Sequence, residues 1–182
     1  YRPVPGYGGE LIIDPEISLK AKKFGLEISM FYSTDSSVDL EWGRKRTASV
    51  RGFVLTIVDD VTGGTTYYVV RGNFQQFQLQ QVSSSGGVTN YKPIANSGGV
   101  TTLSFDGTTW TEYFIDGFKA TYTQIASGTD YTKYGVQTVA SPSGVKQTFT
   151  YGTGTEAGLL KTIEVSGGNK VTFIYTPSGG TV

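Results

Sequence analysis

The peptide GVKQTFTY at residues 144–151 occurs a second time, with changes, as GNKVTFIY at residues 168–175. Tyr151 and Tyr175, the last residues of the two copies, are 24 residues apart. Between the copies, LLKTIEV at residues 159–165 has the composition of a further strand. A fixed period of roughly 20–50 residues is typical of repeat proteins, in which each unit buries its apolar face against a neighbour. The pattern therefore predicts a β-repeat that forms part of a larger sheet.

The chain before the repeat also has the patterning of short strands. Residues 26–32 alternate apolar and polar side chains at their start, as a half-buried antiparallel strand requires. Residues 52–58 and 65–70 are rich in β-branched and aromatic residues, and DDVTGG at residues 59–64 joins them as a hairpin turn. Nearer the start, Asp14-Pro15 is expected to interrupt two short strands.

Further along, a three-strand meander is predicted within residues 100–123, with turns at Asp106-Gly107 and Asp116-Gly117. Residues 74–82 (FQQFQLQQV) fit both a strand and a helix period, and the neighbouring strands favour a strand. No segment has about ten or more residues of helical periodicity with caps. We predict an all-β fold of antiparallel meander and hairpin repeats, arranged as a sandwich or an open wrapped sheet.

Three segments are expected along the chain. Residues 1–9 (YRPVPGYGG) form a Pro/Gly-rich extended arm, residues 10–140 a β-rich domain, and residues 141–182 two divergent repeats continuous with the same sheet. The last strand is expected to leave an exposed edge, which either further repeats or other chains would cover. Since the chain opens on Tyr1, we expect that a leader has been removed or that it is a segment of a larger protein.

Composition narrows the classes of partner. The 15 basic and 15 acidic residues give no net charge, which argues against nucleic acid or an anionic membrane as the main partner. Apolar runs of about four residues fall far short of the ~20 that span a bilayer, so membrane insertion is not expected. The sequence has no cysteine, so the fold must be stabilised by packing without disulfides.

The repeat region resembles the Rhs/YD-repeat family. The resemblance rests on DGFKATY at residues 116–122, SPSGVKQTFTY at residues 141–151 and the copy at residues 168–175. The opening, GELIID at residues 9–14 leading into FGLEISMFYS at residues 24–33, is similar to the segment that precedes such arrays.

The two copies depart from the family pattern. Its Tyr-Asp becomes Tyr151-Gly152 and Tyr175-Thr176, and its Gly-Arg-Leu becomes Gly-Leu-Leu at residues 158–160. Terminal repeats are commonly atypical, so these units are expected to be the divergent first turns of an array. The resemblance implies the N-terminal portion of a β-shell in a bacterial extracellular or cell-surface protein. It also implies a role in encapsulation or display, with carbohydrate as an associated ligand.

The residue types leave few routes to catalysis. The absence of histidine and cysteine excludes Ser-His-Asp and Cys-His catalysis and the usual zinc sites. Two carboxylates about 5–10 Å apart could hydrolyse a glycosidic bond. Glu27, Glu112 and Glu164 alternate with apolar neighbours, however, and are expected to face outward. We therefore predict that the chain is not an enzyme. The full set of candidate glutamates is Glu10, Glu16, Glu27, Glu41, Glu112, Glu156 and Glu164.

Aromatic rings are the candidate binding residues. They could stack on sugar rings, although most are expected to fill the core. Adjacent rings such as Tyr67 and Tyr68 cannot both point inward, so one of each pair faces the other side of the sheet. The candidates are Trp42, Tyr67, Tyr68, Trp110, Tyr113 and Tyr131.

Asp59 and Asp60 are the candidate metal ligands, because carboxylate oxygens bind calcium, which stabilises many extracellular β-proteins. The same residues fit simple turn chemistry, in which an Asp side chain caps its own backbone. No cofactor other than calcium is expected.

The sequence is compatible with three functions. The first is a non-catalytic structural or encapsulating portion of a secreted or cell-surface Rhs-like protein, whose partners are further repeats or neighbouring chains. The second is a carbohydrate- or protein-binding β-module. The third is a self-assembling filament or coat subunit.

Overall fold

The computed structural model describes residues 2–3, 10–19, 25–33, 39–40, 43–44, 46–94 and 101–175. Within this part of the chain the regular structure is β, apart from one 3₁₀ turn at Gly154–Glu156. The strands, numbered in chain order, are β1 (Arg2–Pro3), β2 (Glu10–Leu19), β3 (Leu26–Ser33), β4 (Asp39–Leu40), β5 (Gly43–Arg44), β6 (Arg46–Ala48), β7 (Phe53–Val58), β8 (Thr65–Val70), β9 (Gln76–Ser85), β10 (Val88–Pro93), β11 (Thr102–Phe105), β12 (Trp110–Tyr113), β13 (Lys119–Ser127), β14 (Tyr131–Ala140), β15 (Lys146–Tyr151), β16 (Leu160–Val165) and β17 (Asn169–Thr172).

Strands β7 to β14 form a closed antiparallel barrel of eight strands. Each strand pairs with the next along the chain, and β14 returns to pair with β7, Tyr131 lying opposite Ile57. The all-β prediction is confirmed, but the meander closes into a barrel where a sandwich or open sheet was expected. Closure depends on the pairing of β14 with β7, which are far apart in sequence, and strand patterning carries no information about that pairing.

Strand β14 also connects the barrel to the repeat. One edge of its ten residues pairs with β13 along most of its length. On the other edge, residues 131–135 pair with β7 and residues 138–140 pair with β15. The sheet therefore leaves the barrel at β14 and continues through β15, β16 and β17.

A smaller sheet of order β1-β2-β3-β6 packs against the barrel, and β4 and β5 form a separate two-residue ladder. Leu26, Ile28 and Ala48 of the smaller sheet share one hydrophobic core with the barrel. The turn after β8 approaches this sheet so closely that a Cβ on Gly72 would lie 2.0 Å from the Ala48 carbonyl oxygen. The Gln147 side-chain amide donates to the Gly25 carbonyl at 2.9 Å.

Because the strands alternate in direction, the barrel has two distinct ends. The sheet end carries the turns at residues 71–75, 114–118 and 141–145, and the smaller sheet packs there. The hairpin end carries the turns at residues 59–64 and 106–109. The turns at residues 86–87 and 128–130 complete the hairpin end.

Several strand predictions agree with the structure, and the differences have local causes. The predicted break at Asp14-Pro15 is a register shift between Pro15 and Ile17 inside the single strand β2. The ambiguous residues 74–82 contribute to β9. Strand β10 is missing from the sequence-based assignment, because Thr-Asn-Tyr-Lys-Pro lacks a clear apolar alternation. In the predicted arm, Arg2–Pro3 pairs with β2, and the rest of residues 1–9 lies outside the described residues.

Candidate functional site

An ion pair between a fully buried glutamate and a mostly buried arginine lies inside the sheet end of the barrel. Glu112 on β12 has no exposed surface, and the guanidinium of Arg71, just after β8, binds it through both terminal nitrogens. Arg71 Nη1 donates to Glu112 Oε2 at 2.8 Å, and Nη2 donates to Oε1. The Tyr122 hydroxyl on β13 donates to the same Oε2 and accepts from Arg71 Nη1 at 3.3 Å.

The surroundings fix the charge states of this cluster. Burial by itself would lower the pKa of Arg71, but hydrogen bonds and the charge of Glu112 outweigh it and raise the pKa. Burial, followed by the negative charge of Glu112, raises the pKa of the Tyr122 hydroxyl well above its usual value. At neutral pH Arg71 is therefore a charged guanidinium and Tyr122 a neutral phenol. Both Glu112 oxygens already accept donors, so this carboxylate is arranged as a structural counter-ion.

Sequence reasoning placed Glu112 outward, and the structure corrects this. Its register partner on β13 is Ala120, which is buried, so residue 112 shares the inward face with Trp110. The sequence signal that could have shown this is the spacing from Trp110. Glu112 is two residues after that tryptophan, so in a strand both side chains lie on the same face. Glu27 and Glu164 are exposed, as predicted. Glu156 forms an ion pair with Lys161 at 2.9 Å. The side chains of Glu10, Glu16 and Glu41 lie outside the described residues.

A cleft of about 620 Å³ lies above this cluster, between the smaller sheet and the sheet end of the barrel. Its walls are mostly apolar, with the Arg71 side chain 22% exposed at its base. The Arg71 guanidinium carbon lies 5.3 Å from the centre of the Phe114 ring, a cation–π distance. The apolar lining residues include Leu26, Phe31, Phe114, Val136, Val139 and Phe149.

The predicted aromatic binding residues do not form one exposed surface. Trp110 is fully buried inside the barrel, where it stacks on Phe105 at 4.7 Å between ring centres. Tyr67 is half-buried beside it, with its ring centre 5.6 Å from that of Trp110. Trp110 therefore belongs to the core, and Tyr67 packs against that core while keeping part of its surface exposed. Tyr68, on the opposite side of β8, is also half-buried.

Two other candidates are exposed but far apart. Tyr113 is 46% exposed and pairs with Lys119 at the start of β13, whereas Tyr131 is 41% exposed and follows the turn after the end of β13. The strand between them spans roughly 26 Å at about 3.3 Å per residue. These two tyrosines therefore cannot form one stacking platform. Trp42 lies outside the described residues.

Asp59 caps the turn between β7 and β8. Its Oδ1 accepts the Val61 amide at 3.0 Å, the Thr62 amide at 2.7 Å and the Thr62 hydroxyl at 3.0 Å. These donors, chiefly the Thr62 amide, lower the pKa of Asp59. Asp59 thus caps the backbone of its own turn, which is the alternative to calcium binding that the sequence offered for Asp59 and Asp60. Asp60 is exposed beside it, and calcium binding at Asp59 and Asp60 stays a prediction. Among the described residues, no three acidic side chains cluster as metal ligands would.

The sequence repeat corresponds to a structural unit. In the β14–β15 hairpin Thr138 lies opposite Thr148, and in the β16–β17 hairpin Thr162 lies opposite Thr172, each residue shifted by 24. The turn glycines Gly144 and Gly168 both have positive φ, 81° and 95°.

The repeated tyrosines also have equivalent roles. The Tyr151 hydroxyl donates to the Val136 carbonyl at 2.9 Å, and the Tyr175 hydroxyl donates to the Leu160 carbonyl at 2.8 Å. Each bond reaches 15 residues back along the chain. The Tyr151 ring lies over Gly135, where a Cβ would be 2.6 Å from the ring. The spacing of these tyrosines is visible in the sequence, whereas their hydrogen bonds are visible only in the structure.

The chain therefore forms a closed β-barrel, and its sheet continues from strand β14 into a repeated hairpin. No helix in the described part of the chain is long and apolar enough to cross a lipid bilayer. No protein-family model matches the sequence, and no curated protein matches it significantly.

Solved structures share the fold. A chain of the Photorhabdus luminescens Tc holotoxin pore matches with a TM-score of 0.63 at 13% identity, covering 90% of this chain and 10% of that chain. A chain of the TcdB2–TccC3 complex gives the same four values. The N-terminal domain of the effector SpvB from Salmonella typhimurium LT2 matches with a TM-score of 0.60 at 14% identity, covering 88% of this chain and 67% of that domain structure. The chain thus spans about a tenth of the matched Tc toxin chains, and at these identities the likeness is one of fold.

Proposed function

We propose that this chain is a non-catalytic structural domain of a secreted or cell-surface Rhs-like β-repeat protein. In this role the barrel starts a sheet, and hairpins of the 24-residue unit continue that sheet as a wall. The partners of the domain are then further repeats of the same polypeptide or neighbouring protein chains.

The observation that carries this proposal is the shared edge of β14. A closed barrel normally has no free strand edge. Here the strand is long enough for β15 to pair beyond the end of β7, so the sheet continues outward. Two hairpins follow with the same register and the same tyrosine-to-carbonyl bond. A unit that repeats its own pairing geometry can be added again in the same way.

The comparisons support the proposal at the level of fold. The matched chains include members of multi-chain Tc toxin complexes, which agrees with a domain that associates with other β-rich segments or chains. The match to an effector's N-terminal domain agrees with a domain that can stand at the start of a larger protein. Both agree with the Rhs/YD-repeat resemblance of residues 116–122 and 141–151.

Insertion of a third repeat tests the proposal. A duplicate of residues 152–175 placed directly after Tyr175 restores the Tyr-Gly junction seen at Tyr151-Gly152. We expect the inserted unit to fold onto β17 and to protect its copies of Lys161 and Lys170 from trypsin. The control carries a scrambled insertion of the same 24 residues and is expected to be cleaved there rapidly. Equal cleavage of the two insertions would contradict the proposal.

A further inference from the structure

The hairpin end of the barrel is acidic. Asp59 and Asp60 lie in the turn at residues 59–64, Asp106 follows β11, and Asp130 precedes β14. All four are exposed. No lysine or arginine occurs in these turns, in the Gly86-Gly87 turn or at the adjoining strand ends. Backbone amides of Thr109 and Thr108 bind Asp106 Oδ1 and lower its pKa, as Thr62 and Val61 do for Asp59, so both carboxylates stay charged well below neutral pH.

Apolar side chains are exposed at the same end. Ile57 and Tyr131 lie directly opposite each other on the outer face, 36% and 41% exposed. Val58 is 39% exposed, and its amide donates to the Asp130 carbonyl at 2.7 Å. Val61, held at the tip of the Asp59-capped turn, is 94% exposed. An exposed apolar patch with a charged rim is typical of a protein–protein interface.

The rim of the sheet end has the opposite charge. Tyr113, Lys119, Ala140 and Lys146 are register partners across β12, β13, β14 and β15, so they form one row on the outer face. Both lysines are exposed, and Lys119 Nζ lies 5.5 Å from the centre of the Tyr113 ring. Ile115, in the adjoining turn, is 85% exposed. Asp116 in the same turn is an acidic residue at this rim, and the row itself carries two positive charges.

We propose that the hairpin end of one copy of this chain docks on the sheet-end rim of a second copy. Acidic side chains around Ile57, Val61 and Tyr131 would then meet Lys119 and Lys146 around Tyr113 and Ile115. Complementary charge favours this orientation over contact between two like ends. Because the two surfaces lie at opposite ends of the barrel, the contact is head-to-tail and builds an open chain of subunits.

This inference goes beyond the proposed structural role and does not depend on it. It uses the two ends of the barrel, whereas the wall-forming role uses the edge of β17 that no described strand occupies. A substitution at a barrel end leaves the edge of β17 unchanged, so the docking proposal and the wall-forming role can be contradicted independently.

The test is a charge exchange followed by sedimentation velocity. One variant carries Asp60→Lys and Asp130→Lys at the hairpin end, and the other carries Lys119→Glu and Lys146→Glu at the sheet end. All four side chains are exposed, so neither variant is expected to unfold. We expect the unmodified chain to associate more at higher concentration in about 0.1 M salt, and to dissociate in about 1 M salt, where the screening length falls from about 10 Å to about 3 Å.

Each variant alone is expected to remain monomeric. The first variant keeps Asp59 and Asp106 beside its two new lysines, so its hairpin end has no net charge to attract the lysine row. The second variant has acidic side chains at both ends, which repel each other. In an equimolar mixture, the acidic hairpin end of the second variant meets the unchanged Lys119 and Lys146 of the first, so the mixture is expected to form heterodimers. The control variant Gln78→Lys/Gln124→Lys adds charge at exposed mid-strand positions and is expected to associate normally. A monomeric unmodified chain, variants that still associate alone, or a mixture that stays monomeric would each overturn the proposal.

Discussion

Glu112 joins three parts of the barrel through a charge that is entirely removed from water. It lies on β12, accepts from Tyr122 on β13, and binds Arg71 at the end of β8. A buried ion pair often adds little net stability, because desolvation of both ions offsets their attraction. Removal of one partner is costly, since the other charge then stays buried alone.

Replacement of Glu112 by Gln is therefore expected to destabilise the chain by about 3 kcal/mol, because it leaves the Arg71 guanidinium without a counter-ion. Urea unfolding would measure the change. Glu164→Gln, at an exposed position, is the matched control and should change stability by less than about 0.5 kcal/mol. The double variant Arg71→Met/Glu112→Gln removes the unpaired charge and should be less destabilised than the sum of its single variants. Simple additivity of the two substitutions would contradict this account.

At the scale of elements, three turns at the sheet end share one conformation. In residues 71–75, 114–118 and 141–145 the first amide donates to the fifth carbonyl, at 2.8, 3.0 and 2.9 Å. The fourth residue has positive φ in each turn: Phe74 at 66°, Gly117 at 82° and Gly144 at 81°. A non-glycine residue rarely adopts this conformation.

These turns show what the sequence could and could not predict. Gly117 marked one of them, because glycine is the usual residue at positive φ, and Gly144 stands at the start of the repeated peptide. Phe74 occupies the same position without that signal, which is why the period of residues 74–82 was ambiguous. The inward position of Glu112 was missed for another reason, since partner Arg71 is 41 residues away in sequence. Local alternation cannot show that a distant guanidinium will neutralise a charge.

The repeated tyrosines give a prediction at the same scale. Tyr151→Phe and Tyr175→Phe each remove one hydroxyl-to-carbonyl hydrogen bond of the same geometry. Each substitution is expected to lower the free energy of unfolding by about 1 kcal/mol, and the two effects should be similar. Chemical denaturation of both variants would measure this. Tyr113→Phe, at an exposed position, is the control. A large effect at Tyr151 with none at Tyr175 would show that the two hairpins are not equivalent units.

At the scale of the whole molecule, composition and alternation were enough to predict an all-β chain with a repeat at its end. They could not predict barrel closure, which depends on β14 pairing with β7. Nor could they predict that β14 would pair both with β7 of the barrel and with β15 of the repeat, since this depends on the length and register of the strands. The same limit applies to the aromatic candidates. Tyr67 and Trp110 were candidate binding residues from the sequence, but only the closed barrel shows that they pack against each other at its core.

The central claim is that the sheet leaves the barrel at β14 and that a further 24-residue unit can continue it beyond β17. Among the described residues, β17 pairs with β16 and no strand occupies its other edge. Every second amide of β17 therefore points away from β16.

Amide hydrogen exchange along β17 tests this claim most directly, when the unmodified chain is compared with the chain that carries a third copy of residues 152–175. The account predicts that the outward amides of β17 exchange much more slowly once the third unit is present, while those already bonded to β16 change little. Outward amides that exchange at the same rate in both chains would contradict it.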